Sequence, residues 1–474
     1  MILENKKLLF FDPALLEENQ GVTLRVCPPR DRQIVLEGDK PWETAKYITL
    51  YVSVVYDNGV YKMYYTHNND DEENFTGLLY AESTDGYNWT KPELGLVSYK
   101  GSKANNMIGI LANEGCVIFE PDAPEEERYK CFMDHLRKGT FLHTSADGIH
   151  WKLSDKKLGD FLLDSQNAVF YDERIGKYAQ YMRGWTIPAN GGKHVRTVVR
   201  TETDDLNKPF EYDKSLTKIH RSDGLPTISN GEFPVVFAAD EYDGDVTDVY
   251  TMIPSMYDGY YIAFPSFYRH EPGEPIEGSL YHYKNDGRLE VMFAGSLDGI
   301  KWHRYDRSPY ISNDISGRFK SNMVFMGTGW FRVGDSIRQY GTLFRTKHGE
   351  VHIRVDNKKG DGKIVCYEQR VDGFVCAHFD YKGGKIMTCP WVCSGKDLII
   401  NLDAGMCGRV KVGLCNEDGT PIEGFTTDDC QELTQNGIDV KVNFAGGDLQ
   451  ALVGKKVKVV IEGANAKVFS LRFE

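Results

Sequence analysis

The sequence has no long hydrophobic run and almost no pattern of apolar residues typical of a helix. At the amino terminus, Met1–Asp12 contains too short an apolar stretch and too early an acidic residue for a signal peptide, and no other stretch is long enough to cross a membrane. These absences predict a cytoplasmic protein. The abundant residues include 47 glycines and 27 tyrosines, which favour short strands and tight turns over helices.

Basic residues are also few relative to acidic ones. The chain carries 56 Lys and Arg against 69 Asp and Glu, which gives a net charge of −13 at pH 7. Nucleic acids and anionic membranes bind basic surfaces, so neither is expected as a main partner. Neutral and cationic partners stay open, and so does a homo-oligomer.

Metal-ligand spacings are missing as well. Cys389 and Cys393 stand close together, but no histidine or second pair of cysteines accompanies them at the spacing of a zinc site. His67 and His135 each lack a second ligand at helical or hairpin spacing. We therefore predict no cofactor and no catalytic metal, and a structural calcium ion at an acidic loop stays open. Most of the ten cysteines fall at apolar strand positions, where buried reduced thiols are expected.

What the sequence does contain is a repeated pair of short strands joined by an acidic turn. The clearest copy runs from Leu163 to Arg183, with strands at Ala168–Tyr171 and Tyr178–Met182. Five copies follow one another at intervals of roughly 50–90 residues, a spacing typical of propeller blades with loop insertions. The acidic residues of the turns are Asp57, Asp122, Asp172, Asp258 and Asp335.

A second repeat ends the blades. The segment Ser83–Trp89 recurs as Ser145–Trp151 and as Ser296–Trp302, each with the pattern Ser-x-Asp-Gly-x-x-Trp. The Asp is expected to bond to nearby amides, the Gly to take a positive φ, and the Trp to pack between blades. We interpret this repeat as structural and assign none of its Asp residues to chemistry.

The organisation predicted from these patterns is an all-β chain, with a five-bladed β-propeller followed by a C-terminal β-sandwich. The propeller takes residues 1–357, including a proline-containing wrap at 1–45 whose one candidate strand, Lys7–Phe11, is placed to complete the last blade. Residues 358–474 hold about eight strands with period-two alternation, beginning with Lys363–Arg370, which is enough for a sandwich. We interpret this second domain as an accessory that packs on the propeller or contacts sugar.

With these features the sequence resembles the glycoside hydrolases of families 32, 43, 68 and 130, and its layout is most similar to family 32. Leu79–Gly86, Asp164–Asn167 and Arg370–Val375 look like segments of a bacterial family-32-like group, and the resemblance spans nearly the whole chain. The nucleophile, Arg-Asp-Pro and Glu-Cys motifs of family 32 are not present in recognisable form. Gly334-Asp335-Ser336 also stands where that group commonly has Gly-Asp-Glu.

Glycosyl transfer needs one carboxylic acid to protonate the leaving oxygen and one carboxylate to attack the sugar or activate water. In a propeller, acids just before the first strand of each blade converge on the central funnel from distant parts of the chain. Asp164 is the leading candidate, because it begins the polar run Asp164–Asn167 directly ahead of an apolar strand; a cap for nearby amides is the alternative. The predicted catalytic residues are Asp164, Glu43, Glu114 and Asp248, with Asp245 as an alternative to Asp248.

The substrate-binding candidates come from the same polar run and from strand ends of aromatic character. Arg183 and Arg269 could hold a substrate hydroxyl or carboxylate, or could form a salt bridge between blades. A tryptophan before the first blade and another after Arg183 could stack on a sugar, although packing between blades is the commoner role for such rings. The set is Trp42, Gln166, Asn167, Arg183, Trp185 and Arg269.

The function expected from these residues is an intracellular glycoside hydrolase acting at the non-reducing end of short oligosaccharides, with furanosides such as fructosides or arabinosides as candidates. Asp164 would serve as stabiliser or nucleophile, and Glu43 and Glu114 would supply the other carboxylate roles. Two alternatives stay open. One is a glycoside phosphorylase, for which Arg183, Arg269 and His270 are the only cationic candidates. The other is a sugar-binding protein on the same scaffold without catalysis.

Overall fold

The computed structural model describes residues 6–43, 47–68, 76–110, 114–134, 139–161, 163–186, 195–212, 219–220, 226–227, 233–244, 247–271, 286–349 and 361–474. Within these ranges the regular structure is almost entirely β, and no helix is long and apolar enough to cross a membrane. The helical segments are single 3-10 turns at Pro13–Leu15, Glu125–Glu127, Glu241–Asp243 and Leu449–Leu452.

Five antiparallel groups of strands follow one another along the chain. The first contains Tyr47–Asp57, Val60–Asn68 and Thr76–Ser83. The second contains Cys116–Phe119, Tyr129–Asp134, Thr140–Ser145, Trp151–Lys152 and Lys157–Gly159. The third contains Ala168–Asp172, Lys177–Thr186, Val195–Thr203 and Val235–Phe237. The fourth contains Thr247–Tyr257, Tyr260–Glu271, Asp286–Val291 and Ala294–Ser296. The fifth contains Met323–Val333, Ser336–Phe344, Lys363–Arg370 and Asp31–Glu37. Separately, Ile219–His220 pairs with Pro226–Thr227.

The first strands of these groups contact one another in a closed cycle. Tyr47–Asp57 contacts Cys116–Phe119, and the contacts continue through Ala168–Asp172, Thr247–Tyr257 and Met323–Val333 back to the start. In addition, Ser53 and Thr328 form a parallel bridge between the first and fifth groups. This packing of first strands around an axis is that of a β-propeller. The all-β fold is confirmed, and the count of five blades stays a prediction.

Two further sheets form the sandwich. One contains Val22–Val26, Val375–Phe379, Ala466–Phe473, Leu398–Asp403 and Asn436–Lys441, with Lys7–Leu9 beside Ala466–Phe473. The other contains Leu16–Gln20, Gly384–Thr388, Lys456–Ala464, Trp391–Val392 and Arg409–Cys415. The apolar core of the sandwich continues into the fourth and fifth groups, where the rings of Phe293 and Phe374 stack at 5.4 Å.

The strand pairing differs from the expectation near both ends of the segment predicted to form the propeller. Lys7–Leu9 pairs with Ala466–Phe473 in the sandwich, and Asp31–Glu37 instead forms the outer strand of the fifth group. Lys363–Arg370, expected as the first sandwich strand, pairs with Ser336–Phe344 and with Asp31–Glu37. Period-two alternation is the same in a blade and in a sandwich, so the pattern alone could not assign these strands. The predicted boundary between residues 357 and 358 lies outside the described ranges, and the division into two domains stays a proposal.

The blade-ending repeat has the structural role predicted for it. Asp147 Oδ1 accepts hydrogen bonds from the amides of Ile149 and His150, both at 2.8 Å, and Gly148 has a φ of +76°. Burial raises the pKa of Asp147, but the hydrogen bonds from His150 and Ile149 outweigh it and bring the pKa to about 2. The Asp85 and Asp298 turns make the same pair of amide bonds.

Each of these turns also binds the neighbouring group of strands. The carbonyl of the turn Asp accepts a hydrogen bond from a cation, and the hydroxyl of a tyrosine of the neighbouring group lies beside the turn Gly. The cations are Arg338 for Asp85 (2.6 Å), Lys62 for Asp147 (3.0 Å) and Arg200 for Asp298 (2.8 Å). The tyrosines are Tyr340 at Gly86, Tyr64 at Gly148 and Tyr181 at Gly299.

We expect Gly148→Ala to lower the free energy of unfolding by about 2 kcal/mol or more, because strain at positive φ adds to a clash. A Cβ at Gly148 would lie 2.2 Å from the Tyr64 hydroxyl and 2.9 Å from the Tyr129 ring. The matched control is Gly176→Ala, since Gly176 has a φ of +65° but nothing within 4 Å of its Cβ position, so only about 1 kcal/mol of backbone strain is expected there. Urea unfolding measures both variants, and equal losses would contradict a tight contact between the groups.

Candidate active site

The candidate site surrounds Tyr51, near the start of the first strand of the first group. Tyr51 is buried and has a φ of +56°, within an irregular stretch of pairing between Leu50 and Ser53. A positive φ is rare for an aromatic residue and occurs mainly where the surrounding structure enforces it. Burial raises the pKa of Tyr51 well above its usual value; Tyr250, Glu114 and Asp164 add to the rise, and Arg183 opposes it. The pKa of Tyr51 is therefore affected by residues from the second, third and fourth groups of strands.

Asp164 lies in this cluster and is held by an arginine. Its Oδ2 accepts a hydrogen bond from Arg183 Nη1 at 3.0 Å, and its side chain is 24% exposed. Asp164 also has a positive φ, +53°, so two strained backbone positions meet at the site. This arrangement leaves the carboxylate oriented by a cation and still accessible from solvent.

Arg183 is fixed on several sides. Its Nε and Nη2 donate to the Tyr250 carbonyl at 3.0 and 2.6 Å, and its guanidinium lies 4.2 Å from the centre of the Tyr250 ring. Asn167 Oδ1 accepts from the Arg183 amide at 3.0 Å, so Asn167 acts by holding the backbone that carries Arg183. Burial alone would lower the pKa of Arg183, but Asp164 and the two tyrosines raise it, and the guanidinium stays charged.

Gln166 is buried and connects first strands across the axis. Its Nε2 donates to the Val52 carbonyl at 3.0 Å, to Ser53 Oγ at 3.2 Å and to the Gly115 carbonyl at 3.4 Å. The backbone carbonyl of Gln166 accepts a hydrogen bond from Thr251 Oγ1 at 2.8 Å. The structure thus gives this predicted substrate-binding residue a role in spacing four groups of strands around the site.

Glu114 is the second carboxylate near Tyr51. It is buried and lies two residues before the strand Cys116–Phe119, at the same end of the first strands as Asp164. The charges of Glu114 and Asp164 both act on the Tyr51 hydroxyl. Glu114 and Asp164 thus both raise the pKa of Tyr51, and each lies just ahead of a first strand.

Asp248 forms a neighbouring buried cluster. Its Oδ2 accepts from Arg196 Nη1 at 2.6 Å and lies 3.0 Å from His270 Nε2. Burial raises the pKa of Asp248, but His270 and Arg196 outweigh it and the pKa is lowered. The Arg196 guanidinium lies 4.7 Å from the Trp185 ring, so Trp185 packs on an arginine.

Tyr250 joins the two clusters. Its ring contacts the guanidinium of Arg183 on one side and that of Arg196 at 5.4 Å, and its hydroxyl lies 3.2 Å from His348 Nε2. Sequence reasoning missed Tyr51, Tyr250, Arg196 and His348. Tyr250 and Arg196 lie on strands that alternate as any strand does, and the irregular pairing at Tyr51 has no local signal.

The structure does not bring Glu43 and Trp42 to this cluster. The Glu43 carboxylate is fully buried and accepts hydrogen bonds from Lys91 Nζ at 2.6 Å, the Tyr65 hydroxyl at 2.7 Å and two backbone amides. Trp42 Nε1 donates to Asn106 Oδ1 at 2.8 Å. Both residues follow the outermost strand of the fifth group, Asp31–Glu37, and Trp42 packs on the core between the fifth and first groups.

The ion pair that the structure describes for Arg269 is with Glu290 of its own group of strands, not with a neighbouring blade. Arg269 Nη1 donates to the Asp243 carbonyl at 2.8 Å, and its Nε lies 3.7 Å from Glu290 Oε2. Asp245 and His135 lie outside the described residues. Over the described ranges, no three His, Cys, Asp or Glu side chains converge as metal ligands would.

No family model matches the sequence, and no curated protein matches it. Solved structures with a similar fold include a family-43 arabinoxylan arabinofuranohydrolase from Bacillus subtilis in complex with cellotetraose, at 11% identity and a TM-score of 0.38, covering 90% of this chain and 96% of that one. A family-32 β-fructofuranosidase from Bombyx mori is 10% identical with a TM-score of 0.41, covering 93% and 94%. An N-acetylgalactosamine deacetylase from F. plautii, in complex with blood group B trisaccharide, is 12% identical with a TM-score of 0.45, covering 75% and 96%. At identities this low, the function of this chain rests on its own residues.

We expect Asp248→Asn to lower the free energy of unfolding at pH 7 by about 3 kcal/mol, because it leaves the buried Arg196 without its counter-charge. Because the pKa of Asp248 is lowered, its carboxylate stabilises the fold fully at pH values above the usual pKa of 3.8. This stabilisation is lost as the pH falls through the lowered pKa. The difference between wild type and variant should therefore shrink toward acid pH. Urea unfolding over a pH series measures it.

The matched control is Asp204→Asn, which removes a carboxylate from an exposed pair with Lys208. Little change in stability is expected there, since water screens an exposed ion pair. A loss in Asp204→Asn as large as that in Asp248→Asn would contradict the importance of burial at Asp248.

Proposed function

We propose that this chain is a glycoside hydrolase that acts at the non-reducing end of short oligosaccharides, with furanosides among its substrates. The observation that supports this proposal is the partly exposed Asp164 carboxylate, held by the buried Arg183 ahead of one first strand, with the buried Glu114 ahead of the neighbouring first strand. Paired carboxylates at one site are what glycosyl transfer requires.

In the proposed mechanism Asp164 is the nucleophile or the stabiliser of the positively charged transition state. It suits that role because Arg183 holds its carboxylate in one orientation and because it remains partly exposed. Glu114, which is more deeply buried, is then the group that protonates the leaving oxygen. Glu43 takes no part, because a carboxylate bound by Lys91, a tyrosine and two amides is already fully used by the fold.

Arg183 and Tyr250 act as positioning residues. The three guanidinium hydrogen bonds fix the arginine against the Tyr250 carbonyl and against Asp164, which limits the reacting carboxylate to one geometry. The Asp248 cluster supports the far side of the Tyr250 ring through Arg196. A sugar would therefore meet one oriented and partly exposed carboxylate, that of Asp164.

The change of Ser336 from the glutamate common in the resembling group does not argue against catalysis here. Gly334 and Asp335 form the turn between Met323–Val333 and Ser336–Phe344. This turn lies at the carboxyl end of the first strand of the fifth group, whereas Tyr51 lies in the amino-terminal half of the first strand of the first group. The Val371 amide donates to the Asp335 carbonyl at 3.1 Å, so this turn packs toward the sandwich.

We expect Asp164→Asn to reduce hydrolysis of a panel of synthetic glycosides at least ~100-fold, because the amide cannot form the bond to the sugar or carry the charge. Asp204→Asn, on the surface, serves as the activity control and should match wild type. Thermal unfolding checks that both variants are folded. Unchanged turnover in folded Asp164→Asn would remove Asp164 from the mechanism.

The role of Glu114 has a separate signature. Glu114→Gln should lose at least ~100-fold on glycosides with alkyl leaving groups and much less on those with nitrophenyl leaving groups, which depart without a proton. Measuring kcat/KM against leaving-group acidity tests this. An equal loss on both classes of substrate would assign Glu114 a role other than the acid.

A glycoside phosphorylase is the second candidate, favoured by the cationic residues Arg183, Arg196 and His270 around the Tyr250 ring and Asp248. The sequence analysis named Arg269 among the basic residues for a phosphorylase, and here Arg196 replaces it. Adding inorganic phosphate separates the two reactions, since a phosphorylase is stimulated by phosphate and releases a sugar phosphate. Tight oligosaccharide binding without turnover in either condition would instead favour a sugar-binding protein.

A further inference from the structure

The described chain passes between the sandwich and the fifth group of strands at two places that run side by side. One crossing leads from Val22–Val26 to Asp31–Glu37, and the other leads from Lys363–Arg370 to Val375–Phe379. Their strands pair antiparallel on both sides of the joint. Hydrogen bonds continue through the joint itself, from the Cys27 amide to the Phe374 carbonyl (2.9 Å) and from the Arg30 amide to the Glu368 carbonyl (2.7 Å).

A pair of cysteines lies at this joint, one on each crossing. The Sγ atoms of Cys27 and Cys376 are 3.3 Å apart. Cys376 is buried in its strand, whereas Cys27 is half-buried and follows its strand directly, in the irregular segment that continues with Pro28 and Pro29. Reaching a sulfur–sulfur bond of about 2 Å would need a movement of about 1 Å, and the irregular segment after Val26 can supply it.

The two thiols differ in chemical character. The hydrogen bond with Cys376 lowers the pKa of Cys27, burial opposes this, and Lys467 adds to the lowering. Burial instead raises the pKa of Cys131 well above its usual value, as expected for an inert core thiol. Cys27 therefore combines partial exposure with a lowered pKa, and Cys376 Sγ, 3.3 Å away, is placed to resolve a mixed disulfide.

We propose that Cys27 and Cys376 form a thiol–disulfide exchange site that closes into a disulfide across the two crossings. The Cys27 thiolate attacks a low-molecular-weight disulfide such as glutathione disulfide, whose sulfur–sulfur bond breaks and releases one glutathione thiolate, which takes up a proton. Cys376 then gives up its proton, and its sulfur attacks Cys27 Sγ and expels the second glutathione. The pair loses two electrons and two protons, and one glutathione disulfide becomes two thiols.

The consequence is a covalent bond between the only two places where the described chain joins the sandwich to the propeller. The residues are 349 apart in sequence, so the disulfide closes a very long loop of the unfolded chain. The oxidised protein should therefore resist unfolding better than the reduced one. This inference is independent of the glycosidase proposal and its test needs no substrate.

The test incubates the full chain with glutathione disulfide, blocks free thiols by alkylation, and maps peptides without reduction. We expect one peptide pair joined through Cys27 and Cys376, two fewer free thiols after denaturation, and an unfolding midpoint raised by at least about 3 °C that returns on reduction. Cys376→Ser should stop at glutathione bound to Cys27. Cys407→Ser, which removes the exposed cysteine, should still form the link.

Two results would overturn the proposal. The first is wild-type protein that carries glutathione on Cys27 or Cys407 but never the link between Cys27 and Cys376. The second is a link that forms without raising the unfolding midpoint, since the crossings would then not control separation of the two parts. Because peptide mapping is done on wild type, the outcome does not depend on whether the serine variants fold.

Discussion

The propeller depends on the contact between each blade-ending turn and the neighbouring group of strands. In each of these turns the Asp carbonyl accepts a hydrogen bond from a cation of the neighbouring group, and the Asp side chain holds the turn in shape by capping two amides. In the turns of Gly86 and Gly299 the Gly carbonyl also accepts a hydrogen bond from a tyrosine hydroxyl. Each turn is therefore bonded to donors that the neighbouring group supplies. The repeat in the sequence therefore specifies both the turn and its contact with the neighbouring group of strands.

The candidate site depends on that ring, because its residues come from four different groups of strands. Gln166 spaces the strands, Arg183 orients Asp164, and Tyr250 lies between two arginines. Two residues of the site, Tyr51 and Asp164, have a positive φ. Structures retain such strain where the surroundings overdetermine the geometry, and here the surroundings are the axis of the ring.

The sandwich shares strands and an apolar core with the propeller. The first forty residues contribute three strands to the sandwich and one to the fifth group, and the aromatic core runs from Phe293 to Phe374 without a break. Separating the two parts would expose this core and break the paired crossings around Cys27 and Cys376. The sequence analysis treated the sandwich as an accessory; its packing makes it a support for the last two groups of strands.

The sequence by itself determined the all-β class and the repeats, because turn chemistry and period-two alternation are local properties of a chain. It did not determine that Asp31–Glu37 and Lys363–Arg370 share a sheet, since a strand carries no local record of its partner. For the same reason Glu43 and Glu114 looked alike, each an acid ahead of a first strand. Only the tertiary structure decided that the Glu43 carboxylate is bound by Lys91, because that outcome depends on which distant strands pair and on where the chain runs between them.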